Sequence, residues 1–249
     1  MNKYVCDRCG KPIRSYELLC PECDKWLGDW INKNKYRYII MCGGQYKAWE
    51  QPRQLLEING EKIIERTIRL LRENGIEDIA ISSNLPGFDV FGVPVLNHQN
   101  NYNARKYNDF DGYWCEAFYP TDEPVCYIFG DVVFSEDAIK TIVNTDTDDI
   151  EFFASAPPFD RRYTKPWAEP FALKVVNTDH FRNAIIQTKI LQNENKFNRK
   201  PIMWELWQVI KNTPLNVIDY TNYTVINDWT CDVDEPGDIE KIERAMNES

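Results

Sequence analysis

Residues 36–56, YRYIIMCGGQYKAWEQPRQLL, constrain the chain more than any other stretch. An apolar run stops at two glycines and is followed, eight residues on, by a Pro-Arg pair. An α/β sheet delivers backbone N–H groups to a phosphate in this way, because glycine tolerates positive φ and lets the backbone approach closely. The stretch is therefore a candidate nucleotide site. A second apolar strand is expected over residues 79–83, and between the two EKIIERTIRLLRENG places Ile63, Ile64, Ile68, Leu70 and Leu71 at helical spacing before Gly75, after an Asn59-Gly60 turn. Strand, glycine loop, helix and strand open a doubly wound α/β domain, whose ligands sit at the carboxyl ends of the strands.

The 249 residues carry a net charge of -10. That balance argues against broad nucleic-acid binding, which rests on Lys and Arg neutralising phosphates. Residues 1–37 hold eight basic and five acidic side chains, leaving 21 basic and 34 acidic for the rest. So acidic a body needs a divalent cation to hold a triphosphate. Neither a membrane span nor a signal peptide is legible, and the expected compartment is the cytoplasm.

Four of the eight cysteines form two pairs, Cys6-x2-Cys9 and Cys20-x2-Cys23. Paired CxxC units without a secretion signal read as metal ligands, and four thiolates make a closed tetrahedral Zn2+ site. With no open coordination position, the metal is expected to be structural. The unit resembles a zinc ribbon or rubredoxin knuckle over residues 1–30, and nucleic acid or protein contact through it is left open. Residues 25–35, with Trp26 and Trp30 four apart, are expected to form a short helix. Cys42, Cys115, Cys126 and Cys231 read as buried small hydrophobes, and His98 and His180 have no partner spacing.

Three blocks carry a wider resemblance. Gly43-Gly44, Pro52-Arg53-Gln54-Leu55-Leu56 and Ile58-Asn59-Gly60-Glu61 form the first. The second is the apolar strand at 125–129 with Gly130-Asp131-Val132, and the third is Cys231-Asp232-Val233-Asp234-Glu235-Pro236-Gly237-Asp238. Together they resemble the sugar-phosphate nucleotidyltransferases, the family of nucleotide-sugar pyrophosphorylases, molybdenum-cofactor guanylyltransferase and phosphocholine cytidylyltransferase. Asn97, Tyr102 and GYWCEAF at 112–118 resemble the phosphocholine branch, in which a helix follows the Tyr.

The resemblance implies a Rossmann-like three-layer nucleotidyltransferase domain with a mixed sheet over residues 31–249. It implies transfer of an NMP from an NTP to a phosphorylated small-molecule acceptor, such as a sugar phosphate or phosphocholine. Asp131 would bind catalytic Mg2+, with Asp232 and Asp234 converging on the same ion from one strand face. Asp234 is favoured as the direct ligand, Asp232 as one acting through water, and Asp238 as a helix cap. Cys42, Gly43 and Gly44 would cradle the nucleotide. Arg53 stands where the family has a lysine, and Lys47 stands in for an arginine that the loop at 45–50 lacks. Trp167, Glu169, Trp204 and Glu205 are acceptor-site candidates, aromatic faces beside carboxylates suiting a cationic head group, with core packing the alternative for the tryptophans. Two other readings remain: a glycosyltransferase using a nucleotide sugar, and a non-catalytic binding module working through the knuckle.

Overall fold

The computed structural model describes residues 4–14, 17–43, 49–99, 112–156 and 168–248. The chain divides into two compact units, Met1–Lys35 and Tyr36–Ser249.

In the first unit, Val5 bridges Pro12 in antiparallel fashion, and Cys6 N–H bonds Lys11 O at 2.8 Å. Gly10 makes the turn at φ 73°. The helix α1 (Pro21–Asn34) begins earlier than the tryptophan spacing predicts, because Pro21 at its first turn has the helical φ preset and loses no useful N–H there. The second CxxC is consequently the entrance of a helix: Cys20 is the N-cap residue and Asp24 N–H bonds Cys20 O at 2.9 Å.

The second unit is built on a seven-stranded sheet containing β1 (Arg37–Met41), β4 (Ile79–Ser83), β5 (Val95–Asn97), β6 (Val125–Phe129), β8 (Ile150–Ser155), β9 (Pro170–Val175) and β10 (Thr224–Ile226). Their order is β10-β8-β9-β6-β1-β4-β5. β5, β4, β1 and β6 run parallel, β9 opposes both β6 and β8, and β10 is parallel to β8. Every residue of β4 and β6 is buried, as central parallel strands covered on both faces require. The sheet is mixed and the architecture is the expected three-layer α/β.

The helices are α2 (Ile63–Glu73), α3 (Glu136–Asn144), α4 (Thr178–Asn193), α5 (Met203–Lys211) and α6 (Pro236–Glu248). α2 packs with α3, and α4 with α5. α2 buries Ile63, Ile64, Thr67, Ile68, Leu70 and Leu71 along one stripe, with the Glu65 carboxylate accepting the Lys62 N–H at its start. Gly75 ends it at φ 83°. Ser135 caps α3 by accepting the Ala138 N–H, and Asn177 caps α4 by accepting that of His180. GYWCEAF forms one short turn of 3-10 helix, Trp114–Ala117, rather than a longer helix. Trp114 and Phe118 are drawn instead into an aromatic cluster with Phe129, in which Trp114 meets both phenylalanines edge to face.

Two small ribbons lie outside the large sheet. The hairpin β2 (Glu57–Ile58) and β3 (Glu61–Lys62) turns through Asn59 at φ 50° and Gly60 at φ 79°, the two positive values of a type I′ turn. The other ribbon pairs β7 (Val132–Val133) with β11 (Cys231–Asp232), which are nearly a hundred residues apart. A secondary core of Ile58, Ile63, Val133, Cys231, Val233 and Ile242 joins both ribbons to α2 and α6.

Gly130 links β6 to β7, and its N–H bonds Met41 O at 3.1 Å. A Cβ added there would lie 2.5 Å from Met41 O and 2.8 Å from Cys42 Sγ. Backbone cannot yield as a flexible side chain can, so Gly130→Ala should cost about 2 kcal/mol as an overpacked core site. A urea unfolding curve checks this, and an unchanged midpoint would contradict the close approach.

Candidate functional site

β1 and β6 are adjacent parallel strands with Met41 opposite Phe129, so their carboxyl ends bring Cys42-Gly43 beside Gly130-Asp131. Cys42 is fully buried; its N–H bonds Ser82 O at 2.8 Å and its carbonyl accepts from Ser83 Oγ at 2.7 Å. Burial and the nearby Asp131 charge push its thiol well above the usual range. Cys42 thus enters this corner as sheet backbone and a neutral packing thiol. Gly43 follows at the strand end. Gly44 and Lys47 lie outside the described residues.

Pro52 leads into a 3-10 turn, Arg53–Leu55, closed by Leu56 N–H to Arg53 O at 3.0 Å. From this turn Arg53 runs inward and is only 6% exposed. Its Nη2 donates to Asp131 Oδ2, and its Nη1 donates to Asp234 Oδ1 and, at 2.7 Å, to Val233 O. The two carboxylates are more open than the guanidinium, 23% exposed for Asp131 and 35% for Asp234. One buried cation therefore joins the first, second and third sequence blocks, with its anions turned toward solvent.

The third block is held from behind. Asp238, in the first turn of α6, accepts the N–H groups of Asp234 at 3.1 Å and Glu235 at 2.9 Å, the helix-cap placement its position implies. Val233 N–H bonds Asp131 O at 2.9 Å, extending the β7–β11 ladder by one rung. Trp49, from the loop at 45–50 that departs from the family pattern, donates its indole N–H to Asp234 O at 3.2 Å and packs on the secondary core.

Asp232 is grouped differently. The ladder sets it opposite Val132, while Asp131 lies across from Val233. The ligand-capable atoms of Asp232, Glu169 and Cys231 lie within 4.8 Å of one another. Glu169, fully buried, reaches Cys231 Sγ at 3.4 Å and Asp232 N at 3.3 Å. The structure thus brings Asp131 and Asp234 together on Arg53 and sets Asp232 beside Glu169.

Of the remaining acceptor candidates, Trp167 lies outside the described residues. Trp204 is packed in the core against Phe152 and Tyr223, with its indole N–H donated to Ala168 O at 2.9 Å. Glu205 is buried at the start of α5, accepts the Ile202 N–H at 2.9 Å and pairs with Arg199. Of the histidines, His98 Nδ1 lies 3.2 Å from Ser82 Oγ, with burial lowering its pKa, and His180 Nδ1 lies 2.9 Å from Asp149.

In the first unit Cys6, Cys9, Cys20 and Cys23 have their sulfurs within 4.8 Å of one another, with Cys9 and Cys20 at 3.7 Å. Burial acts to raise the Cys6 thiol, but backbone hydrogen bonds from Cys20, Cys9 and Arg8 outweigh it and bring it down to about 6. Cys23 is pushed up to about 12, first by burial and then by hydrogen bonds with the other three sulfurs. Cys6 is thus favoured as thiolate and Cys23 as thiol. Soft thiolates at this spacing could bind a metal ion.

No protein-family model matches the sequence, and no curated protein matches it. Solved structures share its fold. The inositol-1-phosphate CTP transferase from T. maritima is 12% identical, with a TM-score of 0.50 over 85% of this chain and 97% of its own. The 2-C-methyl-D-erythritol 4-phosphate cytidylyltransferase from Thermus thermophilus is 11% identical, with a TM-score of 0.50 over 84% of this chain and 98% of its own. At these identities the likeness is one of fold.

Two outcomes follow from the geometry. Arg53→Ala leaves Asp131 and Asp234 facing each other without their shared cation and should cost about 3 kcal/mol in urea unfolding, as loss of one partner of a buried ion pair does. A variant as stable as the parent would show the pairs to be idle. In the metal-loaded chain a thiol reagent should find no reactive cysteine, because Cys42, Cys115, Cys126 and Cys231 are buried. After chelation Cys9, the exposed member of the cluster, should react, and unchanged reactivity would exclude a metal at the cluster.

Proposed function

We propose that the second unit is a Mg2+-dependent nucleotidyltransferase that moves an NMP from an NTP to a phosphorylated small-molecule acceptor and releases pyrophosphate. The observation that carries this reading is the buried Arg53 spanning Asp131 and Asp234 at the carboxyl ends of β1 and β6. In an open α/β sheet a ligand binds in the crevice outside those strand ends. The fold shared with a CTP transferase and a cytidylyltransferase agrees with it, and makes CTP the first donor to try.

In this mechanism an acceptor phosphate oxygen attacks the α-phosphorus in line. The new P–O bond forms as the bond to the β-bridging oxygen breaks, and pyrophosphate leaves with that electron pair. No enzyme nucleophile is needed, so positioning and charge neutralisation supply the rate. Arg53 presents a planar fork matched to phosphate oxygens. Gly43 and Gly44 would offer backbone N–H groups to the nucleotide, and Lys47 would contact the outer phosphates. Trp49 and Asp238 hold the backbone of Asp234, and so fix where its carboxylate stands.

The donor set fits Mg2+: Asp131 and Asp234 are hard oxygen ligands, partly exposed and bonded to the same guanidinium. When bound there the ion would offset the charge gathering on the phosphates. Asp232 would act through water, with Glu169 beside it on the acceptor side. The first unit would carry structural Zn2+ on Cys6, Cys9, Cys20 and Cys23, which suits a reducing, cytoplasmic setting.

The test is to incubate zinc-loaded protein with each NTP, Mg2+ and a pool of phosphorylated metabolites, following pyrophosphate and new nucleotide conjugates by mass. Acceptor-dependent pyrophosphate supports the reading. Asp131→Asn should then lower kcat/KM by about 10²–10³-fold, the scale for losing one electrostatic contact to the transition state. Transfer of a sugar from a nucleotide sugar would assign a glycosyltransferase instead. RNA or protein binding that needs Cys6 to Cys23, with no nucleotide binding, would assign a binding module.

A further inference from the structure

We infer that Arg53 keeps free divalent metal off the Asp131–Asp234 pair and admits it only together with a nucleotide's phosphates. The inference rests on the proposed nucleotidyl transfer and concerns the order in which its ligands enter.

The guanidinium spends one nitrogen on each carboxylate, so the oxygens nearest the point of convergence already accept hydrogen bonds from a cation. Arg53 is buried far more deeply than either anion and is tied to Val233 O as well, so its charge is held in place at the pair. A hydrated dication arriving alone would have to share those carboxylates with a fixed positive charge a few ångströms away. Repulsion at that distance, in a partly desolvated corner, opposes its binding.

A triphosphate changes the balance. Its oxygens satisfy the same planar fork as well as a carboxylate does. Arg53 can pass its donors from Asp131 and Asp234 to phosphate without becoming an unpaired buried charge. The carboxylates, on the open side of the cluster, then have lone pairs to give a metal that the phosphates also hold. Metal and nucleotide therefore bind with positive coupling, and each must raise the affinity for the other by the same factor. A lysine on the same stem would keep the charge but lose the fork.

Mn2+, detected by its spin-resonance signal, reports on the site in the zinc-loaded chain of 249 residues. Non-transferable α,β-methylene analogues of the four nucleoside triphosphates serve as the nucleotide. In the parent, Mn2+ should bind at least about tenfold more tightly with a bound analogue than without, a typical size for coupled sites. Arg53→Met should bind Mn2+ alone at least about tenfold more tightly than the parent, with the nucleotide dependence largely gone. Arg53→Lys should remain as weak as the parent toward Mn2+ alone. Asp131→Asn should remove the nucleotide-dependent Mn2+ signal, which identifies the site.

Equal Mn2+ affinity with and without a bound analogue overturns the inference while leaving the transfer reading in place. So does Arg53→Met that folds and gains nothing. Failure of any analogue to bind sinks the transfer reading instead, and the comparison of Mn2+ alone in the parent and in Arg53→Met still decides the role of Arg53. Should Arg53→Met not fold, tight Mn2+ binding by the nucleotide-free parent, abolished in Asp131→Asn, overturns the inference by itself.

Discussion

The second unit is organised around one buried guanidinium. Arg53 is 78 residues from Asp131 and 181 from Asp234, yet it bonds to both and to the carbonyl between β11 and Asp234. A charge this deep is tolerated only when paired and hydrogen-bonded, since desolvation otherwise outweighs any Coulombic gain. The turn after Pro52, the end of β6 and the entrance of α6 must therefore arrive in register with one another. Packing alone would leave the relative positions of three surface connections loosely set. The guanidinium fixes them to hydrogen-bond precision.

Supports behind that cluster explain how it stays assembled. Gly130 lets the end of β6 lie against Met41 and Cys42, which places Asp131. The β7–β11 ribbon is only two residues long on each side, too short to persist by itself. It is held by the secondary core beneath it and by a polar network at its far end. There Ser135 N–H bonds Thr230 Oγ1 at 3.0 Å, and Ser135 Oγ bonds Asp228 Oδ2 at 2.6 Å. The same serine caps α3, so the helix start and the β11 strand are aligned by one side chain. Asp238 does the corresponding work at α6.

What was legible in the sequence is what short-range physics decides. The buried runs at 79–83 and 125–129 became β4 and β6 with those limits, and the stripe of α2 and the Asn59-Gly60 turn follow from 3.6-residue periodicity and positive φ. Resemblance of three blocks marked Arg53, Asp131 and Asp234, but nothing local says that one side chain would join them. That depends on the ribbon register, which pairs residues about a hundred positions apart. The same register sets Asp232 by Glu169, a neighbour that alternation along a single strand cannot reveal. Trp204 and Glu205 show the converse limit. A tryptophan beside a glutamate reads equally as a cation pocket or as a core residue next to a helix cap, and only the packing of α5 against Phe152 and Tyr223 separates the two.

The two units meet the same electrostatic problem with different means. Each gathers groups whose anions would repel one another at the distances seen. In the second unit the chain supplies its own cation, Arg53, which bonds both carboxylates. In the first, backbone N–H groups draw Cys6 toward thiolate, but Cys23 resists ionisation beside three other sulfurs, with Arg8 the hydrogen-bonding cation that counters the rise. One guanidinium could not balance four thiolates, and the apolar residues packed around them among the described residues, Ile13 and Leu19, are too few to hold the turn closed by burial. A metal ion would supply both missing terms at once, charge and cross-linking. The second unit thus carries its balancing cation on its own chain, whereas the first, with four sulfurs crowded together, is the one that a bound metal ion would stabilise most.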